Sequence, residues 1–247
     1  MSANMAMSMK CLAPASLLIA ALTLVGCQTD YEDMTVAQRA AYSRTGSSYT
    51  LKPDPNAPIQ VTYRIDDHRF VTLENYDRCF GDNYYNDTRL SIHQKVWKGE
   101  PTDYRGRLVI DDPSGMNVVL PTARNSSCGD RGCTNHLAYS TDSGRTFRWL
   151  DYMKYSSRPS EDSEKFTIAV TNRGFYVARE NGNDVGVMEY ALIKDINLSQ
   201  PYPAGVKGSS FMASKRPDVL PSLHTPSGQD RFTCDASIRS AGQPKTP

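Results

Sequence analysis

The segment Thr141-Asp142-Ser143-Gly144 places a hydroxyl nucleophile beside an acid and a glycine, the residue types that serine-based acyl transfer uses. That chemistry also needs a base within hydrogen-bond reach and an oxyanion hole. The glycine that should precede the aspartate is missing, and none of His68, His93, His136 and His224 stands in a recognisable partner context. No G-x-S-x-G elbow of the lipase kind occurs either. A different pattern accounts for the same residues. Ser140 to Phe147 fits the Asp box S-x-D-x-G-x-x-[F/W]. Asp142 would accept backbone N–H groups across a turn, and Gly144 would take a φ > 0 position. Phe147 and Trp149, on one strand face, are expected to bury their rings. This motif builds a hairpin and does not break a bond.

Asp boxes occur in sialidases and other glycan-active propellers, which raises glycoside hydrolysis or the binding of glycan or peptidoglycan. Asp66, Asp67, Glu161, Asp162 and Glu164 are available carboxylates, but no pair among them is set apart as acid and base. The histidines form neither H-x-x-x-H nor H-E-x-x-H, and Asp111-Asp112 lacks calcium-loop spacing. No metal and no other cofactor is expected.

The residue types favour contact with another protein. Tyrosine occurs 14 times and clusters at Tyr76, Tyr84 and Tyr85 and again at Tyr152 and Tyr155. Tyrosine mixed with Asp and Arg on a β-scaffold is a common interface composition, although alternation should bury half of each cluster. Cys128 and Cys133 would hold Gly129-Asp130-Arg131-Gly132 in a short rigid loop, which lowers the ordering cost of binding. Asp130, Arg131, Tyr84, Tyr85, Glu161 and Asp162 are the candidate contacts.

The elements that must present them lie behind an export signal. Lys10 supplies a positive start, Leu12 to Val25 is an apolar run too short for a comfortable membrane span, and Leu24-Val25-Gly26-Cys27 matches a bacterial lipobox. Residues 1–26 would be removed and Cys27 acylated, and this lipid would be the only membrane anchor. Gln28 is not the aspartate that retains lipoproteins at the inner membrane, so the outer membrane, periplasmic face, is expected. The full chain has 28 basic and 27 acidic side chains, and loss of Lys10 leaves the mature form neutral, with no basic excess for nucleic acid. Cys79, Cys128, Cys133 and Cys234 remain as an even set in an oxidising compartment. They allow three pairings, of which Cys128–Cys133 and Cys79–Cys234 are favoured. A zinc site would want C-x-x-C spacing or several histidines nearby.

Residues 27–58 read as a tether. Thr35-Val36-Ala37-Gln38 fits a capping box for two helical turns to Tyr42, and Pro53, Pro55 and Pro58 extend the rest. From Ile59 to residue 238 the texture is all-β. Gln60 to Ile65, Arg69 to Glu74 and Ser91 to Trp97 read as strands. Arg107 to Ile110 and Asn117 to Leu120 flank Asp111-Asp112-Pro113-Ser114-Gly115, a hairpin signal. Phe166, Ile168 and Val170 alternate onto one face, and Asn172-Arg173-Gly174 and Glu180 to Asp184 turn the chain between later strands. Strands recur every ~10 residues, the pattern of antiparallel sheets in a sandwich or a small propeller. Beyond Pro201 the chain reads as loose, pinned by Cys234, and residues 239–247 as a frayed tail.

Several stretches together resemble the Tli-type immunity lipoproteins, which protect Gram-negative bacteria against lipase effectors of type VI secretion. They are Tyr63-Arg64-Ile65-Asp66-Asp67-His68-Arg69, Leu73-Glu74-Asn75-Tyr76 with Cys79, Tyr84-Tyr85-Asn86-Asp87, Cys128 to Cys133, and Tyr139-Ser140-Thr141-Asp142 with Gly144, Thr146-Phe147 and Trp149. The resemblance spans about Ile59 to Tyr190 and leaves out the region after Gln200. It implies a non-enzymatic, periplasm-facing lipoprotein, monomeric when free, that binds a secreted phospholipase and blocks it. It assigns no contact residues.

Overall fold

Runs of β-branched and aromatic residues separated by Asp, Asn and Gly turns set the strands. The computed structural model describes residues 51–124 and 128–238. The expected helix between Thr35 and Tyr42, the lipidation site Cys27 and the tail lie outside them. Sheet one is an antiparallel meander, β1 (Gln60–Arg64), β2 (Arg69–Asp77), β3 (Phe80–Asp87) and β4 (Ile92–Gly99). After a 3-10 turn, Pro101–Asp103, β5 (Arg107–Asp111) and β6 (Val118–Pro121) follow. Next come β7 (Cys128–Gly129), β8 (Gly132–Ser140), β9 (Arg148–Ser156) and a single-turn helix α1 (Pro159–Ser163). The chain then makes β10 (Phe166–Thr171), β11 (Gly174–Asn181), β12 (Asp184–Ala191) and β13 (Ser209–Met212). Sheet two is ordered β13-β12-β11-β10-β5, and sheet three holds β6 and β7 on one side of β8 with β9 on β8 as well.

The all-β, antiparallel expectation holds, with one parallel pair, β5 on β10. There are three sheets, not the two of a plain sandwich. All three contribute to a single buried cluster, with Tyr63, Val71 and Tyr85 from sheet one, Ile110, Ile168 and Phe175 from sheet two, and Val119, Leu137 and Tyr139 from sheet three.

Two expectations about local structure need correction. The Asp111 to Gly115 turn forms as read: Asp112 accepts from the Ser114 and Asn117 N–H groups at 2.8 Å each, and Gly115 has φ 69°. Its flanks do not pair, because β5 joins sheet two and β6 joins sheet three. The reason lies in their composition. Leu108, Val109, Ile110, Val118, Val119 and Leu120 are all buried. Neither strand has the wet face that a surface hairpin leaves, so each is covered on both sides. The tyrosine-rich stretch Tyr84 to Asp87, read only as polar, is an inner strand whose Asn83, Asn86 and Asp87 are buried and whose period is thereby hidden.

The segment after Pro201 is tied down more firmly than its composition suggests. Thr233 N–H donates to Thr62 O at 2.8 Å, and Ser227 N–H donates to Ile65 O at 2.9 Å. Gln60 and Asp235 exchange two hydrogen bonds. On the other side Leu108 N–H donates to Asp230 O at 2.8 Å, and Thr225 Oγ1 meets both Tyr63 Oη and Ile110 N–H. The segment thus lies along β1 and β5, the outer strands of two sheets, and supplies partners to backbone groups that would otherwise be exposed. Phe232 drops into the core against Tyr63 and Trp97. The Cys79–Cys234 bridge fastens its end.

Candidate functional site

The Asp box comes first because it fixes the strands that carry the site. Asp142 Oδ1 accepts from Thr146 N–H at 3.0 Å, and its Oδ2 accepts from Thr146 Oγ1 at 2.7 Å. Ser140 Oγ donates to Asp142 at 2.7 Å and accepts from Gly144 N–H at 2.9 Å. Burial raises the Asp142 pKa, but the Thr146, Ser140 and Arg145 donors outweigh it and hold the carboxyl below its usual range. Ser143 Oγ is directed to the Met116 sulfur at 3.5 Å, not to an imidazole. These atoms are occupied in making a turn.

The motif's two rings part company. Phe147 packs against the core and meets the Tyr85 ring edge-on at 6.1 Å. Trp149 does not bury its ring: it is 42% exposed. Phe147 precedes β9, and along β9 the inward positions fall to Leu150, Tyr152 and Met153. Trp149 therefore lies with Asp151 on the outward face, opposite Ala138 and His136 of β8.

Tyr85 leaves the contact set for the opposite reason. Its side chain is 0% exposed in the core, and a Cβ on Gly144 would come within 2.2 Å of its ring. Tyr84, the outward member of that pair, stacks on His93 with centroids 4.3 Å apart.

Asp130 and Arg131 form the two-residue tip of the β7–β8 hairpin, with Cys128 opposite Cys133 and bonded to it, and Gly129 opposite Gly132. A Cβ on Gly132 (φ 109°) would sit 2.7 Å from the Tyr155 carbonyl carbon, so this close approach requires glycine. Arg131 stacks over the Tyr155 ring at 4.9 Å. Cys133 is opposite Ser156, and Ser156 Oγ donates to Asp162 at 2.6 Å. Glu161 sits on the same helical turn, 3.5 Å from Arg158. The structure thus brings Asp130, Arg131, Glu161 and Asp162 to one end of the β8–β9 hairpin. Tyr85 is at the other end, by the Asp-box turn.

The strand between them, read from the sequence as the second strand of the Asp-box hairpin, was not among the candidate contacts. Among the described strands β9 pairs only with β8, so its other edge is open. It carries Arg148, Trp149, Asp151, Lys154 and Tyr155 outward. Two register shifts and the positive φ of Tyr155 twist it, and its charges guard it against indiscriminate pairing. His136 and Asp151 pair across the strands at 2.7 Å. The charges at 148, 151 and 154 were the available signal that one face of this strand is wet. In the β1–β2 turn, Asp66, Asp67 and His68 bring ligand-capable atoms within 4.8 Å of one another. Asp66 is taken up by Arg69 at 2.7 Å, and Asp67 by Arg89 at 2.7 Å.

A family model described as T6SS Tli3 immunity protein matches residues 55–179, half of the chain. The chain belongs to this family. Tli3 membership makes it an immunity protein against a type VI secretion effector. The Tli3 match takes in the Asp box, the Cys128–Cys133 tip, β9 and α1, and ends within β11. It excludes the segment that lies along β1 and β5. No curated protein matches the chain.

Proposed function

We propose that this Tli3 protein neutralises a secreted phospholipase by binding it, and that it does so from a lipid anchor on Cys27 facing the periplasm. The observation that carries the reading is the open edge of β9. Trp149 and Tyr155 are exposed there at 42% and 59%, beside a tip stiffened by a disulfide. Aromatic and Arg side chains on a rigid frame are the residues that most often dominate binding energy. Six residues of strand separate the two rings by ~20 Å. A partner patch of ordinary size, ~800 Å² per side, covers both. The lipase character of the target is supported by the stretches from Tyr63 to Trp149 that resemble lipase-immunity lipoproteins. The lipobox supports the location, since it would tether the domain where a phospholipase finds its substrate. The protein acts by occlusion, covering the effector's cleft or its membrane-approach surface, and turns nothing over.

The test uses the full-length lipoprotein in detergent and the toxin encoded beside it. A one-to-one complex and loss of phospholipid hydrolysis are expected. An effector that hydrolyses phospholipid at an undiminished rate with excess immunity protein present would refute the reading.

A further inference from the structure

Among the described residues seven buried side-chain polar atoms lack a hydrogen-bond partner, and two of them belong to residues that line one cleft. Trp97 is 6% exposed and Asn135 2%, yet the indole Nε1–H and the Asn135 Nδ2 amide donate to nothing in the protein. Asn135 Oδ1 is committed, accepting the Arg124 N–H. Unpaired donors at this depth are rare in native proteins and call for a reason. The cleft, about 340 Å³, opens where the end of β4 meets sheet three, and Lys98, Arg124, His136 and Trp149 also line it. No carboxylate is among the lining residues. Of the acidic groups around it, Asp82 is held by Lys95 at 2.8 Å and Asp151 by His136 at 2.7 Å, and Asp103 lies near enough to Arg124 to feel its charge.

We infer that this cleft is a carboxylate-binding subsite that clasps an acidic side chain on the surface of the effector, an inference that rests on the proposed binding function. Two buried N–H donors and two cations suit a group with two acceptor oxygens and one negative charge. The volume lies at the small end for ligand sites and fits a side chain, not an acyl chain. Trp149 joins the subsite to the exposed edge of β9, so an acidic residue could enter beneath the rim of a larger interface.

The protein has 2 tryptophans, Trp97 and Trp149, so their indole N–H resonances can be followed by NMR in the ¹⁵N-Trp-labelled full chain and assigned with Trp97→Phe. Sodium acetate is titrated against sodium chloride at equal ionic strength. The Trp97 resonance is expected to move saturably, with half-saturation on the order of 1–100 mM for so small a ligand. Asn135→Asp keeps the acceptor for Arg124 N–H, removes the amide donor and adds a negative charge. It should abolish the response and weaken effector binding ~10–100-fold. Lys98→Gln, on the exposed rim, serves as a variant that does not disturb the interior and should weaken both by a few fold.

A Trp97 resonance that moves no more in acetate than in chloride overturns the subsite. So does a response to phosphatidylglycerol vesicles without one to acetate, which would assign the cleft to lipid phosphate. Equal effector affinity for the wild type and Asn135→Asp removes the effector's acidic side chain as occupant. If the wild type binds no effector, the proposed function fails, and the acetate titration still decides the subsite.

Discussion

The two disulfide-tied regions serve opposite ends. Cys79–Cys234 closes 155 residues and fastens the C-terminal segment across two sheets, whereas Cys128–Cys133 closes 5 and stiffens a tip. In the chain-entropy picture the long loop gains about 5 kcal/mol of stability and the short one about 2. Around the first bridge, described backbone groups of β1 and β5 find hydrogen-bond partners on the C-terminal segment. Around the second, features unfavourable to folding accumulate. Trp149 and Tyr155 are exposed, and Tyr155 holds φ at 60°. Nearby, Asn135 on β8 of the same sheet and Trp97 on β4 of sheet one keep unpaired donors. One region is built to hold and the other to present. Features that oppose folding collect where binding is proposed, as expected when a surface answers to a partner as well as to stability.

The largest expected effect breaks the holding region. Replacing Cys79 and Cys234 with Ala should remove about 5 kcal/mol, which is comparable to the whole stability of many single domains. Urea unfolding would show the midpoint falling steeply. A loss no greater than that of the Cys128/Cys133 double variant would end the distinction between the two regions.

That the C-terminal segment holds the fold together was only partly legible in the sequence. The even cysteine count and its pairing were readable, because loop size and compartment constrain them. The run of Pro, Ser and Gly after Pro201 reads as loose, because its order comes from long-range hydrogen bonds such as Thr233 to Thr62 and Leu108 to Asp230, which leave no local period. The same limit hid β3, whose buried Asn83 and Asn86 look like surface residues. It also misdirected the Asp111–Gly115 turn, whose local chemistry is right although its flanking strands belong to different sheets. Alternation worked where the large apolar residues keep to one face and small or polar ones to the other, as at Phe166, Ile168 and Val170 against Thr167, Ala169 and Thr171. In the candidate site the tip and its stiffening were readable from spacing. Trp149 was not, since motif position suggested burial, whereas the regular register of β9 at this end turns Leu150 and Tyr152 inward and Trp149 outward.

On the presenting side, Trp149→Ala should cost ~2–4 kcal/mol of effector affinity and change stability by no more than ~0.5 kcal/mol, because the ring is exposed in the free protein. Titration calorimetry and thermal unfolding read the two quantities separately. An equal loss in both would return Trp149 to a structural role. Opening Cys128–Cys133 by a double Ala change comes next, at about 2 kcal/mol of stability. Affinity should also fall several-fold, since Asp130 and Arg131 must then be ordered on binding. Unchanged affinity would mean that the tip is not a contact.

The smallest effect is also the most specific. Asp103 sits on the 3-10 turn between β4 and β5, and its backbone carbonyl accepts from Ser160 of α1 at 2.7 Å. Burial, and then the charge of Glu100, push its carboxyl up to about 6, against the pull of Arg124 and Arg105. With the pKa higher in the folded than in the unfolded chain, the native state binds the extra proton. Stability from this group is present in full below about pH 4 and is lost as pH rises through about 6. Asp103→Asn removes the charge without removing the shape. Allowing for partial exposure and screening, it should stabilise the protein by on the order of 1 kcal/mol at pH 7.5, a few degrees in Tm, and by little at pH 4. Thermal unfolding at the two pH values decides it. A gain that depends on pH in this direction identifies Asp103 as another group on the presenting side whose charged state opposes folding. A gain equal at both values would assign the effect to packing.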